Sequence, residues 1–183
     1  MHDEHPAISF LRILDGSPEA SFNLETFTDL SKGAPKPRPD PLCRRFATLT
    51  LDRVRNLLPD LEQLNRIGAA IFVSVNQCQG QRSKANINRI RGVHADIDGA
   101  PQNVLDTIRQ KLTPTIEVQT SGPGHWQFYW LLAPGEVMAS DLAESINRGL
   151  VKLGADPAAT DISRLLRVPG FRHMKHRDGG HRA

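Results

Sequence analysis

Across residues 93–168 the spacing of apolar side chains changes period several times, and the order of those changes restricts the fold more than any other feature of the chain. Val93, Ala95 and Ile97 alternate with His94, Asp96 and Asp98, so a strand puts the two sets on opposite faces. Pro101 then opens a helical segment with Val104, Leu105, Ile108 and Leu112 on one stripe. Residues 115–120 and 126–132 read as strands joined in an antiparallel hairpin by Ser121, Gly122, Pro123, Gly124 and His125. Residues 138–153 form an amphipathic helix that stops at Gly154, and residues 165–168 give a last short strand. This β-α-β-β-α-β order predicts an antiparallel sheet with helices on one face and the other face open. Such an open face suits nucleic acid.

Upstream, residues 3–15 read as a helix with Ile8, Leu11, Ile13 and Leu14 on its apolar side, and residues 21–28 as a strand. Within residues 32–41, Pro35, Pro37, Pro39 and Pro41 fix φ and remove N–H donors, which predicts a polyproline-like surface loop. Leucines at helical spacing over residues 49–67 predict two helices separated at Pro59. Residues 69–75 are a β-branched apolar run expected to form a buried strand. The expected organisation is one domain over residues 1–183: an N-terminal unit (1–68), a core (69–176) and a tail or linker (177–183).

With 23 Lys and Arg, 20 Asp and Glu and 39% apolar residues, the composition excludes collagen, coiled coil and wholesale disorder. No run of apolar residues approaches a membrane span, and no secretion signal opens the chain, so a cytoplasmic protein without a membrane partner is expected. Cys43 and Cys78 lack a C-x-x-C partner, which argues against a disulfide framework and a structural zinc site. The bases are unevenly placed. Arg164, Arg167, Arg172, Lys175, Arg177 and Arg182 face a single acid, Asp178, while Arg82, Lys84, Arg89 and Arg91 form a run without acids. Such clusters either hold a polyanion at a defined place or are solvated loops.

Three pieces of the chain carry chemistry. Asp96 and Asp98 project from one strand face about 7 Å apart. Carboxylates so placed raise each other's pKa unless a cation lies between them, and their hard oxygens suit Mg²⁺ or Mn²⁺. The link from Ser121 to His125 frees backbone amides and adds two side-chain donors, so a phosphate can approach closely. Asp161 is a third acid followed by Arg164, Arg167, Arg172 and Lys175, the pattern of a metal ligand beside a triphosphate cradle. Each piece alone also has a plain structural explanation: a solvated strand end, a hairpin turn, a capping Asp with surface arginines.

In this order the pieces resemble the archaeo-eukaryotic primase superfamily, and within it the RepB-like primase domains of plasmids and phages. Residues 93–98 match the motif of apolar residues then D-x-D, SGPGH at 121–125 an extended form of the Ser-x-His motif, and Asp161 the third, acidic motif. The run from Phe72 to Gln77, the basic segment 82–91 and the D-x-S-R-x-L-R-x-P-G-F stretch are also similar to this subfamily, over roughly residues 71–175. Ser121 and His125 stand three residues apart rather than one.

The resemblance implies an α+β catalytic core, with an RRM-like sheet and an N-terminal α/β unit, that makes short primers on single-stranded DNA from NTPs or dNTPs. Asp96, Asp98 and Asp161 would hold two Mg²⁺ or Mn²⁺ ions, with His125 completing the catalytic set. His125, Ser121 and Gly124 would bind the nucleotide, Arg164, Arg167, Arg172 and Lys175 its phosphates, and Arg82, Lys84, Asn86 and Arg89 the nucleic acid. Relatives often continue into a helicase or an accessory helical domain, and residues 179–183 read as a linker. Trp126, Phe128 and Trp130 alternate in one strand and read as core. A rolling-circle nickase would need a nucleophilic tyrosine, whereas Tyr129 lies inside an apolar strand; a helicase would need a phosphate loop, which is missing. A non-catalytic single-strand-binding module and a metal-dependent nuclease are the remaining alternatives.

Overall fold

The computed structural model describes residues 4–30 and 34–175. Its most apolar strand, β3 (Ala69–Ser74), lies between two partners. With β1 (Phe22–Thr28), β2 (Arg44–Leu49) and β9 (Leu165–Arg167) it forms an antiparallel sheet of order β2-β1-β3-β9. Two helices cover the inner face of this sheet, α1 (Pro6–Leu14) and α2 (Leu51–Arg66). Pro6 starts α1, and the Thr50 hydroxyl caps α2 by accepting from Arg53 N–H. Ile8, Leu11, Val54 and Leu61 meet Phe22, Leu24, Ile71, Val73 and Leu166 in the larger core, where each such side chain contributes roughly 2 kcal/mol by leaving water.

Helix α2 runs unbroken through Pro59, against the expectation of two helices. Pro59 lies on the exposed face, so the carbonyl it leaves without a donor can turn to water while Val54 and Leu61 stay on the core. Strand β2 escapes sequence reading because it is an edge: Arg44, Arg45, Ala47 and Thr48 are exposed, and only Phe46 and Leu49 touch the core. A small hairpin of β4 (Gln77–Cys78) and β5 (Ile87–Arg89) occupies the basic segment.

The second sheet contains β6 (Gly92–Ile97), β7 (Ile116–Gln119) and β8 (Trp126–Leu131) in the antiparallel order β6-β8-β7. At Gly92 a Cβ would collide with the Trp130 carbonyl, so glycine is required for β6 to pair with β8 there. Helices α3 (Gln102–Lys111) and α4 (Ser140–Leu150) pack on the face of Ala95, Ile97 and Phe128, with Trp126 and Trp130 at its margin, as the aromatic alternation implies. A 3₁₀ turn (Val151–Leu153) follows α4 and ends at left-handed Gly154.

The α+β class and the strand–helix order agree with the sequence, but two features differ. The opposite face of the second sheet is not open: Tyr129 and Val118 are buried in the larger core, and Tyr129 meets Phe10 edge to face at 5.5 Å. The N-terminal unit therefore covers that face and leaves only its Asp96 end accessible. Strand β9 also pairs with β3 rather than β6. The edge of β6 is already used, because His94 N–H donates to Asn147 Oδ1 (3.0 Å) and the Asp96 carbonyl accepts from Asp156 N–H (2.8 Å). Gln127 of β8, with its amide turned so that both ends are paired, accepts from Arg167 N–H (3.1 Å) and donates to the Arg167 carbonyl (3.2 Å). One side chain thus ties the two sheets together at β9. No helix among the described residues is long and apolar enough to cross a membrane.

A buried ion pair fixes the end of α1 to the start of β6. Arg91 donates to Asp15 Oδ2 (2.7 Å), Ser21 O (2.6 Å) and Val75 O (3.3 Å), and lies 4.9 Å over the Phe22 ring. Burial pushes Arg91 down to about 10. Asp15→Ala, which strands this cation, is expected to destabilise the fold by about 3–5 kcal/mol in urea unfolding. Asp15→Leu combined with Arg91→Met is expected to lose less.

Candidate active site

Asp96 sits near the end of β6 opposite Gln127, and Asp98 follows two residues on at the turn. The β7–β8 link is locked against that turn: Ala100 N–H donates to Gly124 O (3.0 Å), and a Cβ on Gly124, whose φ is 82°, would strike the Ala100 carbonyl. His125 is thereby brought to Asp98, with Nδ1 3.2 Å from Oδ1. From the other side the Asp156 amide bonds the Asp96 carbonyl (2.8 Å), and the Asp156 carboxylate, whose Oδ1 accepts from Ala158 N–H (2.9 Å), borders the same cavity.

These groups line one end of a cavity of about 1200 Å³ between the two sheets. Ser121, Gly122, Pro123 and His125 form one wall, and Arg164, Leu165, Arg167, His173 and Lys175 another. Phe27, Ala70 and Phe72 of the first sheet extend the floor, and Lys36 reaches in from the proline-rich segment. Asp40 anchors that segment by accepting from Thr28 N–H (3.0 Å), Thr28 Oγ1 (2.6 Å) and Leu42 N–H (2.9 Å).

Burial, then the negative charges of Asp98 and Asp156, push the Asp96 carboxyl up to about 6 against the pull of Arg164. His94, on the same strand face, is fully enclosed; burial pushes it down to about 4, and Nε2 bonds the Ala159 carbonyl (3.0 Å). It is neutral and outside the cavity. Among the described residues no three acidic, histidine or cysteine side chains converge into a ready-made metal cluster. The donor set nonetheless fits a divalent cation: Mg²⁺ takes one or two carboxylates and fills its shell with water and phosphate oxygens, and desolvated carboxylates facing like charge are stabilised by a cation.

Several expected site residues stand elsewhere. Asp161 does not line the cavity; its Oδ1 accepts from Ser163 N–H (3.0 Å) and Ser163 Oγ (2.6 Å), which makes it the brace of the turn into β9. Asp156, five residues earlier, borders the cavity instead. Gly124 is not among the residues that line the cavity; it packs tightly against Ala100. Arg164 and Lys175 line the cavity as expected. Arg167 lines it too, but its guanidinium is paired with Asp29 (2.7 Å) and lies 5.1 Å over the Phe72 ring. Arg172 is exposed and outside the cavity, with its backbone held by Asn65 at 2.8 and 2.9 Å.

The basic run is engaged within the fold. Arg82 bonds Glu25 (2.5 Å) and Ser163 O (3.0 Å), Lys84 pairs with Glu144 (2.5 Å), Arg89 with Asp15, and Asn86 bonds Gln81 O (2.6 Å). None of the four lines the cavity. The bases at 177 and 182 lie outside the described residues.

An α+β molecule with clustered carboxylates and a basic wall meeting at the junction of two antiparallel sheets has the architecture of a primase catalytic domain. The chain matches the family model of the RepB DNA-primase N-terminal domain over residues 54–182 and belongs to that family. Its fold is shared with the crystal structure of primase RepB' (TM-score 0.64, 21% identity, 95% of this chain and 52% of that chain). The catalytic domain of RepB' in complex with initiator DNA is similar at TM-score 0.64 and 19% identity, over 95% of this chain and 80% of that one. The AEP domain of the cyanophage S-2L primase-polymerase gives TM-score 0.66 and 16% identity, over 98% and 89%. The chain thus spans about half the length of the RepB' chain it first matches. No curated protein matches significantly.

The raised Asp96 has a consequence for stability. Its carboxyl titrates near 6 when folded and near its ordinary 3.8 when unfolded, so the folded chain binds more protons between those values and stability falls as pH rises through them. Asp96→Asn is expected to raise unfolding stability at pH 7.5 by roughly 2–3 kcal/mol, with no gain below about pH 4. Thermal unfolding at the two pH values, with and without Mn²⁺, checks this; Mn²⁺ is expected to raise the Tm of the unsubstituted protein only.

Proposed function

We propose that this domain synthesises primers on single-stranded DNA by metal-dependent nucleotidyl transfer, in plasmid or phage replication. The observation that carries the reading is the desolvated Asp96 beside Asp98 and Asp156, across one cavity from Arg164 and Lys175, in a chain of the RepB primase family. The RepB' relative crystallised with initiator DNA supports a DNA template.

Asp96, Asp98 and Asp156 would hold two Mg²⁺ or Mn²⁺ ions, with Asp156 in the role first expected of Asp161. Bound there, the ions would activate a 3′-hydroxyl and neutralise the triphosphate during in-line displacement. Asp98 orients His125 through Nδ1; as the imidazolium, with both ring nitrogens protonated, the ring would also donate from Nε2 to a phosphate oxygen. Ser121 and the backbone of the glycine-bearing turn add donors on the same side. Arg164, Lys175 and Lys36 offset the charge of the triphosphate and of the pyrophosphate that leaves. A helicase or helical domain, in this chain or another, would complete the replication protein.

The test is incubation with single-stranded DNA, labelled ATP or dATP and Mn²⁺, read on a denaturing gel. Extended products identify the polymerising enzyme; binding without incorporation identifies a non-catalytic module, and shortened DNA a nuclease. Asp98→Ala and Asp156→Asn are each expected to lower product formation by at least about a hundred-fold. Asp161→Ala is expected to retain most activity while losing about 1 kcal/mol of stability with its turn contacts. The reverse pattern would return Asp161 to the catalytic set. His125→Ala is expected chiefly to raise the KM for the triphosphate.

A further inference from the structure

The cavity floor holds a feature that charge chemistry leaves unused. Phe27 and Phe72 both stand on the face of the first sheet turned away from α1 and α2, half-buried and bordering the cavity. They are diagonal neighbours across β1 and β3, with ring centroids 6.1 Å apart. Opposite Phe27 the partner strand carries Ala70, a side chain too small to cover the ring. Opposite Phe72 stands Arg167, whose guanidinium lies over the ring and is fixed by Asp29, a carboxylate with only 2% of its side chain exposed. That pairing offsets the Arg167 charge and holds its plane along Phe72 at the cavity border, with 11% of the side chain exposed. Lys36 and Lys175 border the same cavity. Aromatic rings open toward a cavity flanked by cations form the pattern with which proteins hold unpaired bases and their phosphates.

We infer that Phe27, Phe72 and the anchored Arg167 form a stacking shelf for nucleobases, beside the carboxylates and on the other sheet. This deepens the reading of the domain as a primase and rests on it for the identity of the ligand. Two rings side by side offer room for more than one base, which favours a single DNA strand passing over the shelf above the base of one free nucleotide.

The experiment measures binding of the whole chain to a labelled oligo-dT and to an abasic oligonucleotide of the same length and phosphate count, by fluorescence anisotropy without catalysis. The unsubstituted protein is expected to bind the base-bearing strand roughly ten-fold more tightly. Phe27→Leu keeps an apolar side chain while removing the aromatic plane, and is expected to abolish that preference with the salt dependence unchanged. Phe27→Trp is expected to restore it, with quenching of tryptophan fluorescence on binding. Equal binding of both oligonucleotides by the unsubstituted protein, or a preference that survives in Phe27→Leu, overturns the shelf. A Phe27→Leu variant that leaves both oligonucleotides alone and weakens only the binding of free dTTP likewise overturns the shelf as a site for the strand. A protein with the expected binding pattern but no nucleotide incorporation keeps the shelf and loses the polymerising role, so the two failures are separable.

Discussion

The amide of Gln127 spans the gap between two sheets that do not otherwise pair at this point. It bonds both backbone groups of Arg167 at 3.1 and 3.2 Å, so β9 meets β3 through a backbone ladder on one edge and β8 through a side chain on the other. Residues far apart in the chain consequently share one cavity: Phe27 and Phe72 from the first sheet, Leu165 and Arg167 of β9 with Arg164 just before it, Asp96 from the second. Were β9 paired with β6 instead, the edge positions taken by Asn147 and Asp156 would be lost, and with them the third carboxylate. The cavity is thus a product of how two sheets are joined, and no single motif contains it.

Charge is divided by the same geometry. In the segment 82–91, Arg82, Lys84, Arg89 and Arg91 each find an acid on another element: Glu25, Glu144 and Asp15. These pairs hold the β4–β5 hairpin against β1, α4 and the end of α1, and an arginine so engaged is a poor candidate to follow a mobile strand. At Arg91, 2% exposed, the pair is structural because an unpaired cation there would carry its whole desolvation cost. The bases around the cavity border acids too, yet Asp98 and Asp156 lie close enough to Asp96 to raise its carboxyl. Net charge alone does not separate these two uses of arginine; burial and the identity of the nearest acid do.

What could be read from the sequence follows the range of the interactions involved. The D-x-D strand, the β7–β8 hairpin and the stop at Gly154 depend on neighbours within a few residues, and their periodicity and turn residues were sufficient. Asp156 and Asp161 are both acids in one irregular loop, both accept from the N–H two residues on, and it is the amide bond to the Asp96 carbonyl that sets the first beside the cavity. Gly154 and Pro157 around Asp156 mark a turn, but a turn does not report which way its carboxylate faces. The partner of β9 is likewise set by an edge filled from α4, a contact between residues 94 and 147 that no local pattern reveals. Phe72 could be read as part of an apolar strand, whereas its partial exposure follows from α1 and α2 both packing on the opposite face of the first sheet.

The division of labour between the sheets also bears on how the site would respond to substrate. The raised Asp96 carboxyl favours the folded chain at low pH and costs it stability as pH rises toward about 6 and above, a cost that a bound cation would offset. A ligand that bridges the carboxylates of the second sheet and the floor of the first would contact both sides of the junction that Gln127 ties. Its binding free energy would then add directly to the contact between sheets, since separation of the sheets would break the ligand's own contacts. Cation and nucleotide are therefore expected to stabilise the same boundary, each making it a better site for the other.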